Sequence, residues 1–382
     1  MQGGGTASCV IGCEPPRYCG RRRQAKNHPA GFSVLNYVMK RLAITMGEPG
    51  GIGPEVALKA LSMKEVRDSC RPIIVGDGKV LGEAISLFGL PVSLRPAGTP
   101  PEPDTVQLDD MGGTEGFVKG RPTRQGGLAS YGFIKRAVEL ALKGEVDGIV
   151  TAPISKEALK MAGLPWPGHT EMLAELTGTK DYAMMLVGGP LRVILVTIHT
   201  ALRNVPGLIT KDSVMKTLVL AGRACTMLGI ERPRIAVSGL NPHAGEGGLF
   251  GDEEQNVVSP AIEEAKGRGM PVSGPYPPDT VYRRAAKGEF DIVVSMYHDQ
   301  GLIPLKLIAF EKGVNVTVGL PFIRTSPDHG TAYDIAWGRH GLPRKGGGTS
   351  GGADPTAMVE AIRLASVLRG GSAPKMAGGT AP

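Results

Sequence analysis

The chain alternates short apolar runs with amphipathic stretches. Predominantly apolar segments at residues 42–45, 72–75, 146–150, 234–238, 291–296 and 314–320 end near Gly, Pro, Asp or His, the pattern of buried strands. Residues 182–187 and 192–198 flank Gly188-Gly189-Pro190 and predict an antiparallel hairpin. Helical spacing of apolar residues follows Pro54, then runs from residue 78 to 88, 130 to 143, 156 to 162 and 168 to 176. It returns over 211–228, 252–266 with a kink expected at Pro260, and 355–369. Residues 96–127 are rich in Pro, Gly and Asp and read as an excursion or a hairpin. Strands alternating with helices predict an α/β fold around a largely parallel sheet.

Composition narrows the class. The 382 residues, 41% hydrophobic and 21% charged, suit a globular protein with room for two domains. No apolar run is long enough to span a bilayer, so no membrane segment is expected. The net charge of +7 is concentrated at the start, where Arg17, Arg21, Arg22, Arg23 and Lys26 face only Glu14. The remainder is too nearly neutral for a nucleic-acid footprint. Residues 1–38 lack any period and read as a disordered extension, with Met39 a candidate true initiator; residues 371–382 read as a mobile tail. Cys9, Cys13, Cys19, Cys70 and Cys225 match no zinc template and no disulfide framework, which points to a reducing cytoplasm.

Chemistry concentrates in residues 290–333. The first apolar run there leads to His298-Asp299, and Lys306, Asn315, Arg324 and His329 follow. Cations beside a buried strand need an anion, which a phosphorylated substrate supplies. His199, His243 and His298 each follow the end of an apolar run within a few residues. If those strands are neighbours, three imidazoles converge on one rim, a catalytic metal arrangement with an open position. His169-Thr170-Glu171 at a helix start reads either as a cap or as donors aimed at a substrate anion. ITMGEPGGIGPEV is neither a dinucleotide fingerprint nor a P-loop; it is a tight strand–helix corner or a backbone cradle.

Seven segments in order, ITMGEPGGIGPEV, PGHTE, the His199-Thr200 strand end, SGLNPHAGEGG, GPYPPDT, MYHDQGLIPLK and GVNVTVGLPFIRTSPDHGTA, resemble the 4-hydroxythreonine-4-phosphate dehydrogenase family of vitamin B6 biosynthesis. The resemblance covers about residues 41–340. It implies an α/β fold similar to isocitrate and isopropylmalate dehydrogenases, with two subdomains and a cleft between them. On that pattern residues 39–150 plus 325–370 form the first, and 151–324 the second, with the metal site and dimer interface. The partner is a second copy, with the site at the subunit boundary. Carried over by motif, His199, His243 and His298 hold one divalent metal (zinc, magnesium or cobalt). His169, Thr170, Lys306, Asn315 and Arg324 contact substrate, and Asp328, His329 and Gly330 lie along NAD or NADP.

The implied reaction oxidises 4-phosphohydroxy-L-threonine at C3 and releases CO₂ to give 3-amino-2-oxopropyl phosphate, on the way to pyridoxal 5'-phosphate. Lys306, Asp299 and Asp279 are the candidates for removing the hydroxyl proton. A paralogue acting on D-threonate or D-erythronate 4-phosphate would carry the same motifs. A phosphate acyltransferase or a non-catalytic ligand-binding protein would need neither metal nor nicotinamide.

Overall fold

The computed structural model describes residues 39–100, 102–338 and 352–370. The expectations for residues 1–38 and 371–382 therefore lie outside the described residues. The strands are β1 (Arg41–Thr45), β2 (Arg71–Gly76), β3 (Ser93–Pro96), β4 (Thr105–Asp110), β5 (Gly148–Thr151) and β6 (Ala183–Gly188). They continue with β7 (Leu191–Leu195), β8 (Ile235–Ser238), β9 (Val272–Tyr276), β10 (Ile292–Ser295), β11 (Val314–Val318) and β12 (Ile323–Pro327). All join one sheet in the order β3-β4-β2-β1-β5-β12-β11-β6-β7-β10-β8-β9.

The expected α/β architecture is present, and its sheet is mixed. From β3 to β12 every neighbouring pair is parallel, as is every pair from β7 to β9. The middle, β12-β11-β6-β7, alternates in direction. The two parallel wings thus run opposite ways. The expected boundaries at 150/151 and 324/325 fall within β5 and β12, which pair with each other.

Three elements depart from the sequence reading. Residues 96–127 hold no hairpin, because β3 and β4 pair in parallel rather than antiparallel. Pro260 does not kink a long helix. A π-helical turn, Glu254–Val258, runs directly into helix Ser259–Gly267, so the stretch is continuous and the widened turn before Pro260 accommodates its missing N–H. The MGEPGGIG segment is a packed corner rather than an open cradle. A Cβ at Gly53 would lie 2.4 Å from the Met46 carbonyl oxygen, so only glycine lets the helix start so close to β1.

Period-two alternation divides β11 and β12 between two faces. Asn315 pairs with Ser326 and shares a face with Thr317 and Arg324, while Val314, Val316, Val318 and Thr325 face the other way. Thr325 Oγ1 donates to the Ala361 carbonyl, so helix Thr356–Val367 covers this second face. The first face of β6, β7 and β10 packs on Val281, Leu302 and Leu305 from helices Pro278–Ala286 and His298–Ala309. Among the described residues no helix is long and apolar enough to cross a membrane.

Candidate active site

The centre of the site is a buried cation with no ion-pair partner among the described residues, Glu171 being a carboxylate that lines the same cavity. Arg324 is 1% exposed and donates to Thr317 Oγ1 at 3.0 Å and Thr151 Oγ1 at 2.8 Å. Its Nε has no partner, and it forms no ion pair among the described residues. Burial pulls its pKa down to about 9, which still leaves it charged at neutral pH. A guanidinium desolvated against hydroxyls alone is complete only when an anion enters.

The groups around it have the same unfinished character. His169, first residue of helix His169–Leu176, has an unpaired Nε2. Burial, with Arg324 beside it, pushes His169 well below the ordinary imidazole value and keeps it neutral. Thr170 is buried in the same turn, and the Asn315 Oδ1 is buried without a partner. These residues line a cavity of about 320 Å³ together with His199, His298, Asp328, His329 and Gly330. A helix N-terminus, a neutral imidazole and a lone guanidinium converging on one space suit a phosphate or carboxylate.

β7, β10 and β8 are neighbours and parallel, so the three histidines do follow adjacent strand ends. The rings gather only in part. His199 and His298 have centroids 5.7 Å apart, whereas His243 lies against Phe250 at 6.0 Å. Among the described residues no group of three His, Cys, Asp or Glu side chains is placed to hold a metal. His243 opens a run of left-handed residues, His243, Ala244, Gly245, Glu246 and Gly247. The start of that run is pinned by Glu254, whose Oε1 accepts from the Leu240 and Asn241 amides at 2.7 Å. Gln300 ties the neighbouring strand ends, accepting from Met296 N and donating to the Gly239 carbonyl, each at 2.7 Å.

Each of the two gathered imidazoles turns Nδ1 toward a carboxylate. His298 Nδ1 is 2.6 Å from Asp299 Oδ1, and His199 Nδ1 is 3.7 Å from Glu171 Oε1. A carboxylate on one ring nitrogen fixes the ring and leaves the other free to ligate. The donor set therefore fits two ligands of a divalent metal within one chain.

Of the proton-removal candidates, Lys306 pairs with Asp328 at 3.2 Å, and Asp299 is taken up with His298. Asp279 is exposed in the first turn of helix Pro278–Ala286 and does not line the cavity. Sequence reasoning missed Thr151 and Thr317, the hydroxyls that hold Arg324. Their only signal is a polar residue in or closing an apolar run, and the pairing spans 173 residues in one case.

Fold and cavity together define a class: an α/β protein with a cavity at the centre of a mixed sheet, lined by the buried Arg324 and by His169, His199, His298 and His329. The family described as "Pyridoxal phosphate biosynthetic protein PdxA" matches residues 68–365, and the chain belongs to that family. It is 53% identical over 302 residues to the 4-hydroxythreonine-4-phosphate dehydrogenase of Desulfosudis oleivorans, covering 77% of this chain and 89% of that protein. It is 45% identical over 336 residues to the D-threonate 4-phosphate dehydrogenase of Pectobacterium atrosepticum, covering 86% and 99%. The crystal structure of 4-hydroxythreonine-4-phosphate dehydrogenase from Klebsiella pneumoniae superposes with a TM-score of 0.77 at 42% identity, covering 87% and 99%.

Proposed function

We propose that the chain oxidises the C3 hydroxyl of 4-phosphohydroxy-L-threonine with NAD or NADP, and that the product loses CO₂ to give 3-amino-2-oxopropyl phosphate. The observation that carries this reading is Arg324, a buried guanidinium bound only to hydroxyls and facing a cavity. Arg324, Thr170 and the first turn of helix His169–Leu176 receive the phosphate or carboxylate, and neutral His169 adds a hydrogen bond without adding charge. Holding both ends of a short substrate fixes the position of C3, which lowers the barrier by removing orientational freedom. Lys306, which lies outside the cavity lining but pairs with the cavity-lining Asp328, is the group we assign to accept the hydroxyl proton, and to do so it must first give up its own ammonium proton. Asp328, His329 and Gly330 border the dinucleotide. When bound, a divalent metal such as zinc, magnesium or cobalt supplies charge that polarises the alcohol, and the dinucleotide supplies the oxidant.

His199 and His298 serve as ligands from one chain, with His243 contributed by a second copy. Two apolar surfaces support this. Helix His298–Ala309 exposes Ile303 and Leu307 at 67% and 87% beside His298 and Lys306, Phe310 just past its end is 76% exposed, and Leu249 is 72% exposed near His243. Exposed side chains of that size next to a half-built site call for a covering partner. The cleft lies between the halves 39–150 plus 325–370 and 151–324, in a cytoplasmic enzyme.

The 45% identity to a D-threonate 4-phosphate dehydrogenase supports a second reading, in which the substrate carries a hydroxyl in place of the amine. Steady-state assays with both substrates, both dinucleotides, and metal added or chelated decide between them. Faster turnover of D-threonate 4-phosphate selects the second reading. No nicotinamide reduction with either substrate overturns both.

A further inference from the structure

On the opposite face of the sheet from the cleft lies a second cavity, of about 510 Å³. Its floor is apolar, made by Met227, Val318, Leu320 and Pro321. Its rim carries three cations from three separate segments: Lys180 before β6, Arg223 on helix Lys211–Met227, and Arg369 just after helix Thr356–Val367. None of the three side chains has an ion-pair or hydrogen-bond partner among the described residues. The one acid on the rim, Asp181, is already neutralised by Lys216 at 2.8 Å.

The rim is held in place by the backbone. Arg369 N donates to the Met227 carbonyl at 2.8 Å, and a Cβ on Gly229 would sit 3.5 Å from the Arg369 guanidinium. Gly229, at φ +77°, thus leaves that guanidinium a flat bed at the cavity edge.

Three exposed cations bordering one cavity with an apolar floor are complementary to one ligand chemistry. The volume falls within the range of small-molecule sites, and two guanidiniums with an ammonium match a dianionic head better than any neutral group. We propose that this cavity binds a small phosphomonoester with an apolar body, at a site separate from the catalytic cleft.

The test is isothermal titration of the full chain with phenyl phosphate, which joins a phosphate dianion to an apolar ring. The binding event removed or weakened roughly tenfold or more by Arg223→Ala/Arg369→Ala belongs to the cavity, and the event removed by Arg324→Ala belongs to the cleft. The paired Arg→Lys variant keeps the charge and most of the affinity. Lys180→Ala, on an exposed loop, repeats the measurement should the double variant unfold. Inorganic phosphate, which lacks the ring, binds the cavity several-fold more weakly than phenyl phosphate. Titration of the double variant identical to that of the parent, or loss of all binding on Arg324→Ala alone, overturns the site. Equal affinity for the two probes overturns the part assigned to the apolar floor.

Discussion

Glu48, in the corner between β1 and helix Gly53–Ser62, is fully buried, and neither carboxyl oxygen has a hydrogen-bond partner. The Tyr333 hydroxyl and the Gly50 and Gly51 amides lie near it and relieve only part of the desolvation, so burial raises its pKa from 4.5 to about 7. That gap corresponds to roughly 3 kcal/mol at about 1.4 kcal/mol per pH unit. The native state keeps the proton in a window where the unfolded chain has lost it, so stability falls as pH rises from about 4.5 through about 7. Glu48→Gln keeps the shape and cannot ionise. Urea unfolding of parent and variant at closely spaced pH values should show curves that nearly coincide near the acidic end. Above neutrality they should separate, with the variant more stable by up to about 3 kcal/mol. Parallel curves, offset by the same amount at every pH, would refute the argument, because they would mean that Glu48 ionises as readily in the folded chain as in the unfolded one.

Arg324→Lys should lower kcat/KM by on the order of a hundredfold, since an ammonium cannot span Thr151, Thr317 and an anion at once; an unchanged KM would remove Arg324 from the anion site. His298→Ala should lose metal on dialysis, read by elemental analysis, while its circular dichroism matches the parent, and full retention of metal would exclude it as a ligand. Leu307→Glu should shift sedimentation toward the monomer and cut activity with it, because that side chain is 87% exposed in the single chain; an unaltered assembly would place the interface elsewhere. Gly126→Ala should destabilise by about 1–3 kcal/mol in thermal melts, as its Cβ would lie 2.0 Å from Glu48 Oε1, and an unchanged melting point would show that the corner has slack.

What could be read from the sequence divides along a physical line. β1 and β10 were legible because a strand buried on both faces leaves a nearly continuous apolar run, LAIT or IVVS, and β11 because VNVTV alternates valine with polar residues between Gly313 and Gly319. β3, β4, β9 and β12 read SLRP, TVQLDD, VSGPY and IRTSP, segments whose strand character comes from pairing with distant neighbours rather than from their own composition. The cleft followed the same rule. His169, Asn315 and Arg324 were marked by charge or polarity next to apolar runs, and they do meet in one cavity. Thr151 and Thr317 were hidden because only the register of β5, β12 and β11 brings their hydroxyls to Arg324. The gathering of His199 and His298 followed from strand order, but the path of His243 depends on a left-handed run that no periodicity encodes.

The β11–β12 hairpin has a consequence for how the chain is made. β5 waits beside an empty lane for a neighbour that emerges from the ribosome some 170 residues later, since Gly148 pairs with Ile323. β6 waits likewise for Val314 to Val318. Until that late hairpin arrives, both wings carry a bare edge in the middle of the future sheet, where another nascent chain can dock instead. The last-synthesised third of the protein is therefore its keystone, and premature termination before residue 327 leaves two open edges rather than a smaller, finished fold.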